Sequence, residues 1–413
     1  MSVGSSSSGR PRVLIAGGGI AGMEALLALA HLAEDRVQLL LAAPEPDFRY
    51  RPMAVTEPFS LTPYERRALA PAVEEAGGRF VEAGMQAVRV DDHIAEFDDG
   101  SEEEYGALVV CVGARPRASF EHAFTFTVPG VPLDLDDLLA HARSAEPNRI
   151  AFVVPSGVAW ALPLYELAVL TAKCIADRDD AVEVSIVTPE PSPLAIFGPG
   201  PSEAVAQLLR ARGINVHCGA HAREAGEGML VLVPGEEELR AAAIVALPVL
   251  DGPSIDGLPT DQDGFIPIDD HARVYDVSDV YAAGDGTNFP IKQGGLGTQQ
   301  ADAGAEHIAA RFGAELEPAP FHPVLRGKLL VGEETVSMRT EIAGGGGEGA
   351  ASLDYLWWPP FKVSGRYLSP WLMGSDASVE PEPPARSIDV EVSLPREWHR
   401  EPMSLDPYRM IDS

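Results

Sequence analysis

The residues best placed to do chemistry begin with three glycines. Gly17, Gly19 and Gly22 form a G-x-G-x-x-G series between an apolar run, Val13 to Ala16, and a segment in which Met23, Leu26, Leu27 and Leu29 recur at helical spacing. After a strand and before a helix, the first glycine allows a tight turn and the second lets a pyrophosphate approach the backbone. The third lets helix and strand pack closely at the positive end of the helix dipole. The series predicts a dinucleotide site, with Ile20 and Ala21 in the same cofactor-binding turn. A ribose-binding acid is expected about 20 residues on. The second apolar run ends in Leu41, Ala42 and Ala43, and the nearest carboxylate is Glu45, after Pro44. Two readings of Glu45 stand, ribose partner or surface-loop acid.

A second strand-turn-helix unit, "IAFVVPSGVAWALPLYELA" from residue 150, has a different turn. It offers Pro155, Ser156 and one glycine, Gly157, and then the bulk of Trp160 and Pro163, where a phosphate-cradling turn would carry several glycines. His217, Cys218 and His221 are three metal-ligand types in five residues but lack a fourth partner in view, so no metal is expected. Cys111, Cys174 and Cys218 lie far apart and form no CxxC pair, which fits a reduced cytoplasmic setting rather than a disulfide framework.

These residues need elements to hold them, and the 413-residue chain is long enough for two or three domains. The run "RVLIAGGGIAGMEALLALAHL" followed by "RVQLLLAAP" reads as strand, helix, strand, and the segment from Arg149 to Leu194 repeats that order. Two such units predict an α/β protein with two Rossmann-like dinucleotide-binding domains and a C-terminal extension. The expected division is 11–118 and 256–325 for a discontinuous first domain, 119–255 for a second domain inserted in it, and 326–413 for a C-terminal flap or interface. "MSVGSSSSGRPR" reads as a flexible lead-in without a secretory signal, "EIAGGGGEGAAS" as a floppy loop, and the acidic, Pro-rich end as extended chain. A formal net charge of −31 argues against nucleic acid and anionic lipid as partners held by bulk attraction. No uncharged apolar run approaches the roughly 20 residues of a spanning helix. The basic residues are almost all arginine; lysine occurs only at Lys173, Lys292, Lys328 and Lys362.

"RVLIAGGGIAGMEA", "ALVVCVGARP" and "VSDVYAAGDGTNFPIKQGGLGTQQADAGAEHIA" together resemble the FAD-dependent pyridine nucleotide-disulfide oxidoreductase superfamily. Within it, the chain is similar to the branch of sulfide:quinone oxidoreductases, flavocytochrome-type sulfide dehydrogenases and type II NADH dehydrogenases, to about residue 330. The resemblance implies FAD as cofactor. It implies that Gly284 and Asp285 meet the ribitol chain, that Gly295 and Leu296 open the helix facing the isoalloxazine, and that Lys292 adds to charge stabilisation there or is a solvated loop lysine. It puts Gly113 beside the cofactor and runs Tyr50-Arg51-Pro52 over it, with Arg51 at the pyrophosphate. Cys111 reads as a core thiol.

The same resemblance gives weight to what is missing. The sulfide-oxidising relatives need two thiols across the flavin, one from the C-terminal third, and this chain has no cysteine after Cys218. Dithiol chemistry cannot run on one sulfur. The NADH-using relatives need a glycine-rich second turn, which "VPSGVAWALPLYE" is not. The implied enzyme takes electrons from a small donor and gives them to an acceptor such as a quinone, with Trp160, Tyr165 and Glu166 shaping the flavin's face. Trp160 reads equally as core filler, and Glu166 as a plain surface acid. The alternatives are an NAD(P)H oxidoreductase with an unorthodox nucleotide site, and an FAD-binding protein without turnover. Trp357, Trp358, Tyr367 and Trp371 suit a flap over the flavin domain or a homodimer interface first, and a quinone pocket or peripheral membrane contact second.

Overall fold

The computed structural model describes residues 9–59, 66–126, 133–342 and 349–374. The lead-in up to residue 8, residues 343–348 of the glycine loop and the acidic end from residue 375 lie outside the described residues.

The first unit is a five-stranded parallel sheet, in the order Val280–Ala282, Ala107–Val110, Arg12–Ala16, Gln38–Ala43, Arg79–Glu82. Strand residues alternate between two buried faces. Val13 and Ile15 pack with Met23, Leu26 and Ile308 of the helices Ile20–Ala33 and Gly294–Arg311, while Leu14 and Ala16 pack with Met85, Val88 and Phe97 of a small antiparallel sheet. Burial on both faces explains why these strands read as continuous apolar runs. In register, Ala16 lies between Ala42 and Val110, and Val110 lies beside Ala282, so the turns after these four strands open along one sheet edge. That carboxyl edge is where doubly wound sheets bind ligands.

The second unit repeats the plan. Its parallel sheet runs Phe124–Thr125, Ala243–Ala246, Arg149–Val153, Glu183–Val187, Asn215–His217. Helices Leu135–Ser144, Leu162–Asp177 and Pro199–Ala211 cover one face and a three-stranded antiparallel sheet the other. An antiparallel ribbon, Arg115–Arg117 against Val249–Asp251, joins the two units, with Arg117 bonded to both carboxylate oxygens of Asp251 at 2.9 and 3.3 Å. The fold is thus the α/β arrangement of two Rossmann-like units that the sequence predicts.

The C-terminal extension departs from that expectation. Val324–Leu330 and Thr335–Glu341 form an antiparallel hairpin joined by Ala350–Ser352, and Leu368–Leu372 is a short helix. Leu325, Leu329, Val336 and Met338 enter the core of the second unit, so the hairpin is built in rather than draped over. The aromatic segment docks on the first unit. Trp371 meets Phe48 edge-on at 5.5 Å, and Tyr367 and Leu368 pack with Met23 and Leu26. Among the described residues, no helix is long and apolar enough to cross a membrane.

Candidate functional site

The glycine turn owes its shape to backbone crowding. Gly17 has φ +112°, and a Cβ there would lie 2.3 Å from the Cys111 carbonyl oxygen. A Cβ on Gly22 would lie 1.8 Å from the Gly17 carbonyl oxygen. Only hydrogen fits at either place, which brings the helix N-terminus hard against the strand. Gly19 is different: nothing stands within 4 Å of the place of its Cβ. The open side of the turn faces a cavity of about 480 Å³, within the size range of cofactor sites.

The cavity gathers most of the residues expected from the sequence. Gly17, Gly19, Ile20 and Ala21 line it from the glycine turn, Glu45, Arg51 and Pro52 from the next connection, and Gly113 from the strand end at Val110. Gly284, Asp285 and Lys292 line it from the returning strand and its turn, and Trp160 and Pro163 from the second unit. Glu45 is ion-paired with Arg49 at 3.2 Å. Gly22 lies behind the turn in the helix packing, as the third glycine of such a series does.

The Asp285 carboxylate receives no hydrogen bond from any described residue. Burial raises its pKa, and the nearby charges of Lys292 and Arg51 oppose the rise. Burial drives Lys292 the other way, down to about 8, with Asp285 partly restoring it. Its ammonium donates to the Thr287 carbonyl and sits 3.6 Å from the centre of the Phe265 ring, so Lys292 is not a solvated loop lysine. A carboxylate held without donors invites a ligand rich in hydroxyl groups. Together with the glycine turn and Arg51, this set of groups fits FAD.

Four expectations need correction. The Leu296 N–H is not free, because the Gln293 side chain caps the helix and accepts it at 2.8 Å. Gly294 and Gly297, not Gly295 and Leu296, line the cavity. Glu166 neither faces the cavity nor the surface: it is fully buried, accepting the Lys362 ammonium at 2.6 Å and the Leu330 N–H at 3.0 Å. Burial raises its pKa and Lys362 holds it back. Tyr165 is also fully buried, and its hydroxyl donates to Glu190 at 2.7 Å. The C-terminal aromatics do not line the cavity either; Trp357 is buried and donates to the Phe361 carbonyl at 3.0 Å, and Trp358 is 53% exposed.

Trp160 both lines the cavity and packs edge-on against Phe197 at 5.9 Å, so its two readings merge. Pro163 occupies the first turn of the helix Leu162–Asp177, where it removes an N–H that a phosphate would use. Cys111 borders the cavity as a buried thiol whose pKa burial pushes up to about 12. His221 bonds Ser156 through Nδ1 at 2.9 Å, and the described residues contain no cluster of three metal-ligating side chains.

Sequence reasoning missed Arg326, Lys328 and Lys362, which line the cavity from the C-terminal extension. No local pattern pointed to them; the structure brings three of the chain's four lysines, Lys292, Lys328 and Lys362, to this one cavity.

The sequence model of the pyridine nucleotide-disulphide oxidoreductase family matches residues 11–306. No curated protein matches the sequence. Among solved structures, the chain is similar to a sulfide:quinone oxidoreductase from the hyperthermophilic bacterium Aquifex aeolicus, with a TM-score of 0.75 at 18% identity over 83% of this chain and 86% of that one. A ferredoxin reductase from Rhodopseudomonas palustris gives 0.58 at 20% identity, over 81% and 83%. An NAD-dependent persulfide reductase from A. fulgidus gives 0.57 at 18%, over 80% and 64%. At such identities the likeness speaks to the fold.

Proposed function

The chain belongs to the pyridine nucleotide-disulphide oxidoreductase family, as an FAD-dependent oxidoreductase, and from that premise we propose that its electron donor is a small molecule other than a nicotinamide nucleotide and its acceptor a quinone-like molecule. When bound, FAD supplies two-electron transfer between donor and acceptor. The protein groups bind and orient it. The N–H groups of the glycine turn and Arg51 suit the pyrophosphate, Asp285 the ribitol, Glu45 the ribose, and Gly113 and Gly284 leave room along the chain of the cofactor. Lys292, half-buried near Asp285, would keep positive charge near that carboxylate.

The observation that carries the donor assignment is the second turn. Trp160 and Pro163 wall the cavity where a second nucleotide's phosphates would need free N–H groups. Glu190, the first acid after that unit's second strand, is already engaged by Tyr165 and by Thr188 at 3.0 Å. The single cavity thiol, Cys111, is held protonated by burial, which disfavours thiolate chemistry. On this reading Glu166 positions rather than reacts, by anchoring Lys362. The exposed Tyr355 and Trp358 are the best support for a peripheral contact with a membrane or partner surface, and the free cysteines Cys111, Cys174 and Cys218 support a reduced, cytoplasmic compartment. The domain division at 118/119 and 255/256 is part of the same proposal and is supported by the connecting ribbon.

Anaerobic rapid mixing of the FAD-loaded protein with NADH and NADPH tests the assignment. Neither is expected to bleach the flavin absorbance faster than a control with free FAD. Fast, saturable bleaching by either nucleotide would overturn it in favour of an unorthodox nicotinamide site.

A further inference from the structure

Lys328 lies on the strand Val324–Leu330, is 7% exposed and lines the cavity. Its ammonium donates to the Pro360 carbonyl at 2.7 Å and sits 5.4 Å from the Tyr355 ring. No carboxylate of the described residues comes within ion-pairing distance of it. Burial, together with the like charge of Lys362, pushes the Lys328 pKa down to about 8. Lys362, by contrast, has a counter-ion in Glu166 at 2.6 Å. A lysine this deep is rarely left without an anion, because a buried, uncompensated ammonium is costly.

The cavity around these cations also has apolar walls. Trp160, Leu162 and Pro163 approach from the second unit and Val363 from the extension, all lining the same cavity. Gln293, which caps the helix at this end, donates to the Arg326 carbonyl at 3.1 Å, which ties the lysine strand to the helix N-terminus. The lysine strand thus reaches the cavity from a different part of the chain than the glycine turn and Arg51.

We infer that the end of the cavity bounded by Lys328, Lys362, Trp160 and Pro163 binds a small organic anion, its charged head beside Lys328 and its apolar body against Trp160 and Pro163. The inference rests on the reading that places FAD's pyrophosphate at the glycine turn. It gives the electron donor a class: a carboxylate or comparable anion with an apolar body, not a neutral molecule and not a bare inorganic ion.

FAD uptake is measured first, by absorbance, so that failure of the cofactor reading shows by itself. The FAD-loaded protein is then titrated with benzoate, benzamide and inorganic phosphate, followed by calorimetry and by perturbation of the flavin absorbance. Saturable benzoate binding is expected, with benzamide and phosphate each at least tenfold weaker. Lys328→Met is expected to weaken benzoate at least tenfold and Lys328→Arg to retain it. Equal binding of benzoate and benzamide, no benzoate binding, phosphate binding as tight as benzoate, or unchanged benzoate affinity in Lys328→Met would each overturn the inference while leaving FAD binding intact.

Discussion

Glu24, in the helix that leaves the glycine turn, accepts the backbone N–H of Tyr367 at 2.9 Å, and its second carboxylate oxygen accepts that of Leu368 at 2.7 Å. The two ends of the described chain are thus clasped by one buried side chain. A Cβ on Gly365 would stand 2.3 Å from the Glu24 carboxylate, so the clasp also requires that glycine.

Removing the clasp should loosen the extension. Glu24→Ala leaves two buried N–H groups without acceptors, each costing about 1–3 kcal/mol, and is expected to lower unfolding stability by about 2 kcal/mol or more. Glu24→Gln keeps an acceptor and should lose less. Urea denaturation measures both, and equal midpoints for Glu24→Ala and the unaltered protein would contradict the clasp.

Asp302 makes the clasp sensitive to pH. Its carboxyl meets that of Glu24, burial raises both pKa values, and the like charge of Glu24 raises Asp302 further. A hydrogen bond between the two acids requires that one of them carry a proton. The folded state then holds a proton that the unfolded chain releases at an ordinary carboxyl pKa of about 4, so stability falls as pH rises from there through the raised native values. Asp302→Asn supplies the donor permanently. It should flatten that slope and raise the midpoint of thermal unfolding at pH 8 by roughly 2 °C or more; an unchanged slope would argue against the shared proton.

The glycine turn separates folding from binding. Gly22→Ala forces a methyl into the Gly17 carbonyl, and is expected to cost about 3 kcal/mol or more in the FAD-free protein. Gly19→Ala meets nothing, and its φ of −84° suits any residue, so the FAD-free stability should change by less than about 0.5 kcal/mol while FAD affinity falls. Thermal unfolding with and without FAD distinguishes them. Equal losses of stability without FAD would show that the two glycines do not divide the work.

Asp285 carries an analogous signature. Asp285→Ala removes a half-buried acid without donors, so the FAD-free protein should be no less stable. FAD binding should weaken roughly tenfold to a hundredfold, the worth of hydrogen bonds to a charged group. Fluorescence titration reads the affinity, and wild-type affinity in the variant would remove Asp285 from the site.

The sequence carried the two sheets because their strands are buried on both faces and so read as unbroken apolar runs, Val13 to Ala16 and Ile150 to Val154. It carried the glycine turn because only hydrogen fits at Gly17 and Gly22. It did not carry the strand Val324–Leu330, whose apolar residues are interrupted by Arg326, Gly327 and Lys328; Arg326 and Lys328 line a cavity that no local pattern announces. Glu166 was illegible for a related reason. Its partners, Leu330 and Lys362, are 164 and 196 residues away, and a lone helical glutamate looks the same on paper whether it is solvated or buried. The cap on Leu296 belongs to Gln293, a residue type that sequence rules seldom assign to that task.

The most direct measurement is the absorbance spectrum and flavin content of the purified protein, before and after incubation with excess FAD. A yellow protein holding about one FAD per chain, released on unfolding, is the predicted result. Colourless protein that stays empty at high FAD concentration would contradict the assignment of the cavity between the glycine turn and Asp285.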